Sequence, residues 1–84
     1  MLRIQYFANV REQMGVEGQE MPLSSSIRTV ADLMTALESE EPKFAAVVVG
    51  TKSLLVAVNQ TVVEKSYVLS DDDEVAFFPP MTGG

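Results

Sequence analysis

Gly83 and Gly84 close this sequence on a carboxylate with no side chain near it. Glycine lacks a Cβ, so the walls of a partner's site can close directly on the backbone of such a tail. Phe77-Phe78-Pro79-Pro80-Met81-Thr82 comes just before. A strand-like run therefore stops at two prolines and releases a short segment able to enter a narrow site, carboxylate first. Taken alone, two terminal glycines also fit an ordinary frayed end. The Pro-Pro approach and the domain behind it favour a functional tail.

No other residues compete for the chemistry. The chain contains no cysteine, no histidine and no tryptophan. It thus lacks the side chains that usually titrate or attack near neutral pH. This composition argues against a self-contained hydrolase or transferase. Reaction is expected at the main-chain terminus, with catalytic groups lent by another protein. Asp71-Asp72-Asp73-Glu74 invites a metal-site reading. It lacks the spacing and central glycine of a calcium loop, so it reads as a solvated turn and no metal is expected. Arg11 and Glu12 are read as solvated surface rather than as a partner contact.

With 84 residues, 46% of them hydrophobic and 21% charged, the chain suits one small globular domain. Its formal charge of −6 weighs against nucleic-acid binding and favours a partner with a basic surface. No charged start leads into an apolar run, so no signal peptide is read. The longest apolar stretch, Phe44 to Val49, is far too short to span a bilayer. A cytoplasmic protein without membrane association is expected.

The elements that must hold the tail follow from periodicity. Leu2-Arg3-Ile4-Gln5-Tyr6-Phe7-Ala8 alternates, which predicts a strand with Leu2, Ile4 and Tyr6 inward. Asn9 is expected to cap a short helical turn that Gly15 stops. Gln19 to Leu23 is read as a return strand with Met21 and Leu23 inward, and Pro22 confines it to an edge. Thr29 and Asp32 have the spacing of a capping box before Val30, Leu33, Met34 and Leu37, an apolar helical stripe. Pro42 can open a second short helix running to Gly50, although its valines leave a strand reading open. Leu54–Val58 and Thr61–Val63 read as strands joined tightly at Asn59-Gln60, and Glu74–Phe78 as the last strand. This order describes an α+β domain, a mixed sheet with one main helix packed across it, in the β-grasp or ubiquitin-like arrangement. The first and last strands should lie side by side in its middle. The domain is expected to occupy residues 1–80, and a flexible tail residues 81–84.

Alternation also predicts what the helix-free face displays. Phe7 should share that face with Arg3 and Gln5, and Phe78 should share it with Glu74 and Ala76. Of Val62 and Val63 one must face the same way, and Val62 is expected to. Scattered exposed apolar residues are common. Aromatics clustered beside a projecting tail point instead to a partner-binding patch. Phe7, Val62, Phe78, Pro79, Pro80, Met81 and Thr82 are accordingly the candidate partner-binding residues, and Gly83 and Gly84 the candidate reactive end.

Three segments carry a family resemblance: Tyr6-Phe7-Ala8-Asn9-Val10-Arg11-Glu12, Ala57-Val58-Asn59-Gln60, and Asp73 through Gly84. Over essentially its whole length the chain resembles the small subunits of molybdopterin synthase, β-grasp sulfur carriers of molybdenum cofactor biosynthesis. Met81 is bulkier than the valine usual at its position. The resemblance implies that a ubiquitin-activating-type adenylyltransferase uses ATP to adenylate Gly84. A sulfur donor protein then converts the adenylate to a thiocarboxylate. The tail enters a large subunit, in a heterotetramer of two small and two large subunits, and donates sulfur to cyclic pyranopterin monophosphate. No cofactor is expected on the chain itself. Carriers for thiamin thiazole or tRNA thiolation share the Gly-Gly end, as do ubiquitin-like modifiers. A plain binding module is the remaining alternative.

Overall fold

Leu2, Ile4 and Tyr6 are all at most 1% exposed, while the residues between them are not buried. That alternation forms β1 (Leu2–Tyr6). A computed structural model describes residues 1–51 and 53–80. The chain continues through α1 (Ala8–Met14), β2 (Gly18–Met21), α2 (Val30–Glu40), α3 (Pro42–Gly50), β3 (Leu55–Val58), β4 (Thr61–Val63) and β5 (Glu74–Phe78). The strands make one sheet in the order β2-β1-β5-β3-β4. Among the described residues, only the central β1–β5 pair is parallel. This is the expected α+β, β-grasp arrangement, with the first and last strands paired at its middle.

Local chemistry explains most of the boundaries. Thr29 accepts a hydrogen bond from the Asp32 amide at 3.2 Å, and the Asp32 carboxylate accepts from the Thr29 amide at 3.1 Å. The capping box thus satisfies donors that the first turn of α2 leaves orphaned. Val30, Leu33, Met34 and Leu37 are the buried stripe of that helix. Pro42 stands at the start of α3, where a missing amide costs nothing. The valines of α3 do not make it a strand, because Phe44 and Val47 fall on one helical face and both are fully buried.

The short helix departs from expectation. Asn9 does not cap α1; Phe7 occupies the cap position, and no side chain supplies a hydrogen bond there. Ala8 has φ +54°, so the chain turns sharply out of β1 and the helix starts before Asn9 can cap it. Gly15 does end α1, at φ +77°, with its amide donating to the Arg11 carbonyl at 3.0 Å. The return strand is also displaced: β2 begins at Gly18 and ends at Met21, before Pro22, leaving Leu23 beyond it but packed against the core. A Cβ on Gly18 would lie 2.3 Å from the Ile4 carbonyl oxygen, so only glycine permits this approach of β2 to β1.

Three aromatic rings hold the end of the sheet from which the tail departs. Phe44 meets Phe77 edge-on with centroids 5.1 Å apart, and Tyr6 lies 6.4 Å from each. Tyr6 and Phe77 are also partners in the β1–β5 ladder. The last strand is therefore anchored in the core one residue before Phe78.

Candidate functional site

The helix-free face can be mapped row by row from strand register. Nearest the exit of β5, Phe7 follows β1, its amide donating to the Phe77 carbonyl at 3.2 Å. This continues the β1–β5 register by one step and brings Phe7 beside Phe78, which itself pairs with Leu55 of β3. The next row holds Gln5, Ala76, Ala57 and Val62. A third row holds Glu20, Arg3 and Glu74.

Chemistry divides along these rows. The rows at the tail end are apolar apart from Gln5, and the row farthest from the tail is charged. Phe7 is 46% exposed and Val62 60%, while Phe78, Leu55, Pro79 and Pro80 are half-buried. Ala57 is buried yet stands outside the hydrophobic core cluster. With Ala76 it keeps the middle of the face low between larger neighbours. The Gln5 amide donates to the Glu74 carboxylate at 3.3 Å, closing the apolar zone on its polar side. A shallow groove runs beside this zone between Phe7, Arg11 and Glu17, where an exposed Arg11–Glu17 pair stands 3.6 Å apart.

The acidic turn has a structural task. Asp73 is buried; its carboxylate accepts from the Ser70 amide at 2.8 Å and from the Asn59 side-chain amide at 2.9 Å. Asn59 in turn accepts from the Glu74 amide at 3.1 Å. The β3–β4 turn and the start of β5 are thereby locked at the end of the sheet opposite the tail. Among the described residues, no group of three or more His, Cys, Asp or Glu is arranged to hold a metal ion, and no helix is long and apolar enough to cross a membrane.

The structure brings Phe7, Phe78, Pro79 and Pro80 together, with Val62 farther along the same face. Met81, Thr82, Gly83 and Gly84 lie outside the described residues. Sequence reasoning passed over Leu55 and Ala57. The alternation of Leu55-Val56-Ala57-Val58, read through the tight turn at Asn59-Gln60, would have set both on the face of Val62.

Residues 4–84 match the ThiS family. The chain belongs to it. Among relatives of this ThiS-family chain, the molybdopterin synthase sulfur carrier subunit of Escherichia coli K12 is 40% identical, each chain being covered in full. The protein of the same name from Haemophilus influenzae is 37% identical, again over both full lengths. In three dimensions the chain is similar to SAMP1 from Haloferax volcanii, with a TM-score of 0.80, 23% identity, and coverage of 99% of this chain and 98% of that one. That last likeness concerns the fold.

Proposed function

We propose that this ThiS-family chain is the sulfur-carrier subunit of a molybdopterin synthase. One observation carries the reading. The apolar zone of Phe7, Phe78 and Leu55 adjoins the point where Pro79 and Pro80 lead toward Gly83 and Gly84. A partner resting on that zone is thereby positioned to receive the tail. The full-length relatives named as sulfur carrier subunits support it.

In this reading the Gly84 carboxylate attacks the α-phosphate of ATP on an activating enzyme, releasing pyrophosphate. A persulfide of the donor protein displaces AMP, and a thiol cleaves the resulting acyl disulfide, leaving Gly84 as a thiocarboxylate. The large subunit then uses that sulfur to thiolate cyclic pyranopterin monophosphate, and water restores the carboxylate. Each dithiolene consumes two loaded chains. Adenylation is needed because a carboxylate is a poor electrophile. The chain's own residues bind and present: Phe7 and Phe78 engage the partner, Pro79, Pro80, Met81 and Thr82 form the approach, and Gly83 and Gly84 admit the catalytic walls. Acid and base groups come from the large subunit, in a heterotetramer with two copies of each chain. No cofactor resides on this chain, and the cytoplasm supplies its ATP.

The test is reconstitution with the cognate activating enzyme, ATP, sulfur donor, large subunit and pyranopterin precursor. Dithiolene should form with the intact chain, and none should form after deletion of Gly84, whose melting temperature should be unchanged. Equal product from the truncated chain would overturn the proposal.

A further inference from the structure

Val62 does more than add an apolar side chain to the open face. The turn before it has two residues, Asn59 and Gln60, at φ +50° and +71°, the geometry of a tight type I′ hairpin. Val58 and Thr61 flank that turn as ladder partners, followed by Ala57 with Val62 and Val56 with Val63. In such a hairpin the flanking pair exchanges both hydrogen bonds, the next pair none, and the third both again. Thr61 and Val63 therefore spend their backbone groups on β3. Val62 turns its amide and carbonyl outward, along an edge that no other strand of the described residues covers. The same alternation appears from the other side of β3, where the Asn59 amide donates to the Glu74 carbonyl at 2.8 Å.

We propose that β4 is a docking edge: an extended segment of the large subunit pairs with the backbone of Val62 and continues the sheet. This rests on the reading of the chain as a synthase subunit and names how that partner is held. One residue offers a donor, an acceptor and a side chain that is 60% exposed. Sheet edges are usually blunted by charge or proline. The opposite edge, β2, carries Glu20 within the strand and meets Pro22 directly after it. β4 is kept short, at three residues, and is followed by Glu64 and Lys65. Within Thr61–Val63, however, there is no charge or proline, so the single outward pair of Val62 is left open to a partner strand. Val62 also shares its row with Ala57 and Ala76, so a partner lying on the apolar zone reaches this edge without a break. A second copy of the chain is the lesser occupant, because each copy has a formal charge of −6 and the two would repel.

The experiment uses chain assembled by chemical ligation with the Val62 amide N-methylated. This removes the outward donor and fills the space of a paired strand, while the bonds from Thr61 and Val63 to β3 remain. Melting of the free chain should not change, and affinity for the cognate large subunit should fall by about tenfold or more. Unchanged affinity would overturn the proposal. So would sedimentation showing a dimer of the free chain that methylation dissolves, since the edge would then belong to a second copy. If methylation lowers the melting temperature, amide exchange on the unmodified chain decides. The Val62 amide should exchange rapidly when free and about tenfold or more slowly in the complex; equal rates would overturn the edge assignment. A large subunit that fails to bind the unmodified chain would overturn the carrier reading instead.

Discussion

Phe78 faces Leu55 across the β5–β3 ladder, on the opposite side of the sheet from its neighbour Phe77. Phe77 is fully buried and touches the aromatic cluster with Phe44 and Tyr6. One residue thus anchors the last strand and the next is displayed where the tail begins. The division follows from strand geometry, because successive side chains point to opposite faces.

That division makes the two phenylalanines separable by mutation. Phe77→Ala should cost about 3–5 kcal/mol of stability, the usual penalty for emptying a core aromatic site. Phe7→Ala, at an exposed position, should cost less than about 1 kcal/mol of stability. It should nevertheless weaken large-subunit binding by about 1 kcal/mol or more, with Phe78→Ala behaving similarly. Calorimetric titration beside thermal melts checks this. Severe unfolding of Phe7→Ala with unchanged affinity would contradict the site.

Asn59 joins the hairpin turn to Asp73 and Glu74 through two side-chain hydrogen bonds, at 2.9 and 3.1 Å. Asn59→Ala removes both and forces a Cβ residue without a polar group to hold φ +50°. A loss of about 1–3 kcal/mol in urea denaturation is expected, since a buried carboxylate loses a donor. Asn59→Gly should recover the backbone part of that loss and not the rest. Equal stability of the two variants would mean that only the hydrogen bonds matter.

The start of α2 gives an acid-side signature. Amide hydrogen bonds from Arg28 and Thr29 are the main reason the Asp32 carboxyl is held below its ordinary range. A carboxyl lowered in the folded state adds stability above its unfolded value of about 4, and that stability disappears as pH falls through the folded value. Stability of the native chain should therefore drop more steeply below about pH 4 than that of Asp32→Asn. Thr29→Ala should lose about 1 kcal/mol at neutral pH. Parallel acid-side profiles for the native chain and Asp32→Asn would refute the cap's role.

Tyr6 gives the alkaline counterpart. Burial, followed by the charge of Glu41, pushes its hydroxyl up to about 12, and it donates to Gln19 at 2.9 Å. A phenol raised in the folded state adds stability that is whole below its unfolded value of about 10 and is lost as pH rises through the folded value. Tyr6→Phe should flatten the fall in stability measured between about pH 10 and 12. It should also cost about 0.5–1.5 kcal/mol at neutral pH through the lost hydrogen bond. Superimposable alkaline profiles would rule Tyr6 out as the group responsible.

Much of this architecture was legible because local signals and global packing agree. Leu2, Ile4 and Tyr6 announce a one-sided strand, Thr29 and Asp32 a cap, and Asn59-Gln60 a tight turn. The misreadings arose where tertiary structure overrules local preference. Asn9 has the chemistry of a cap, but β1 breaks at Ala8, whose left-handed backbone no propensity would suggest. The return strand reads through to Leu23, yet the ladder with β1 ends at Met21, before Pro22. The helix opened by Pro42, by contrast, forms as expected, its strand-favouring valines overruled by burial of Phe44 and Val47 on one face. Within the site, alternation identified Phe7 and Phe78. Leu55 and Ala57 follow from alternation carried through the Asn59-Gln60 turn, but that Leu55 lies beside Phe78 needed the β3–β5 register, which emerges only when strands distant in sequence pair.

A sulfur carrier of this kind must hold its sulfur at Gly84, as a thiocarboxylate. Intact-mass spectrometry of the untagged chain, incubated with its activating enzyme, ATP and sulfur donor, tests it most directly. A gain of about 16 Da is expected as sulfur replaces oxygen, localised by fragmentation to Gly84. An unmodified mass under conditions where the activating enzyme is shown to be active would exclude a sulfur carrier and leave a binding module in its place.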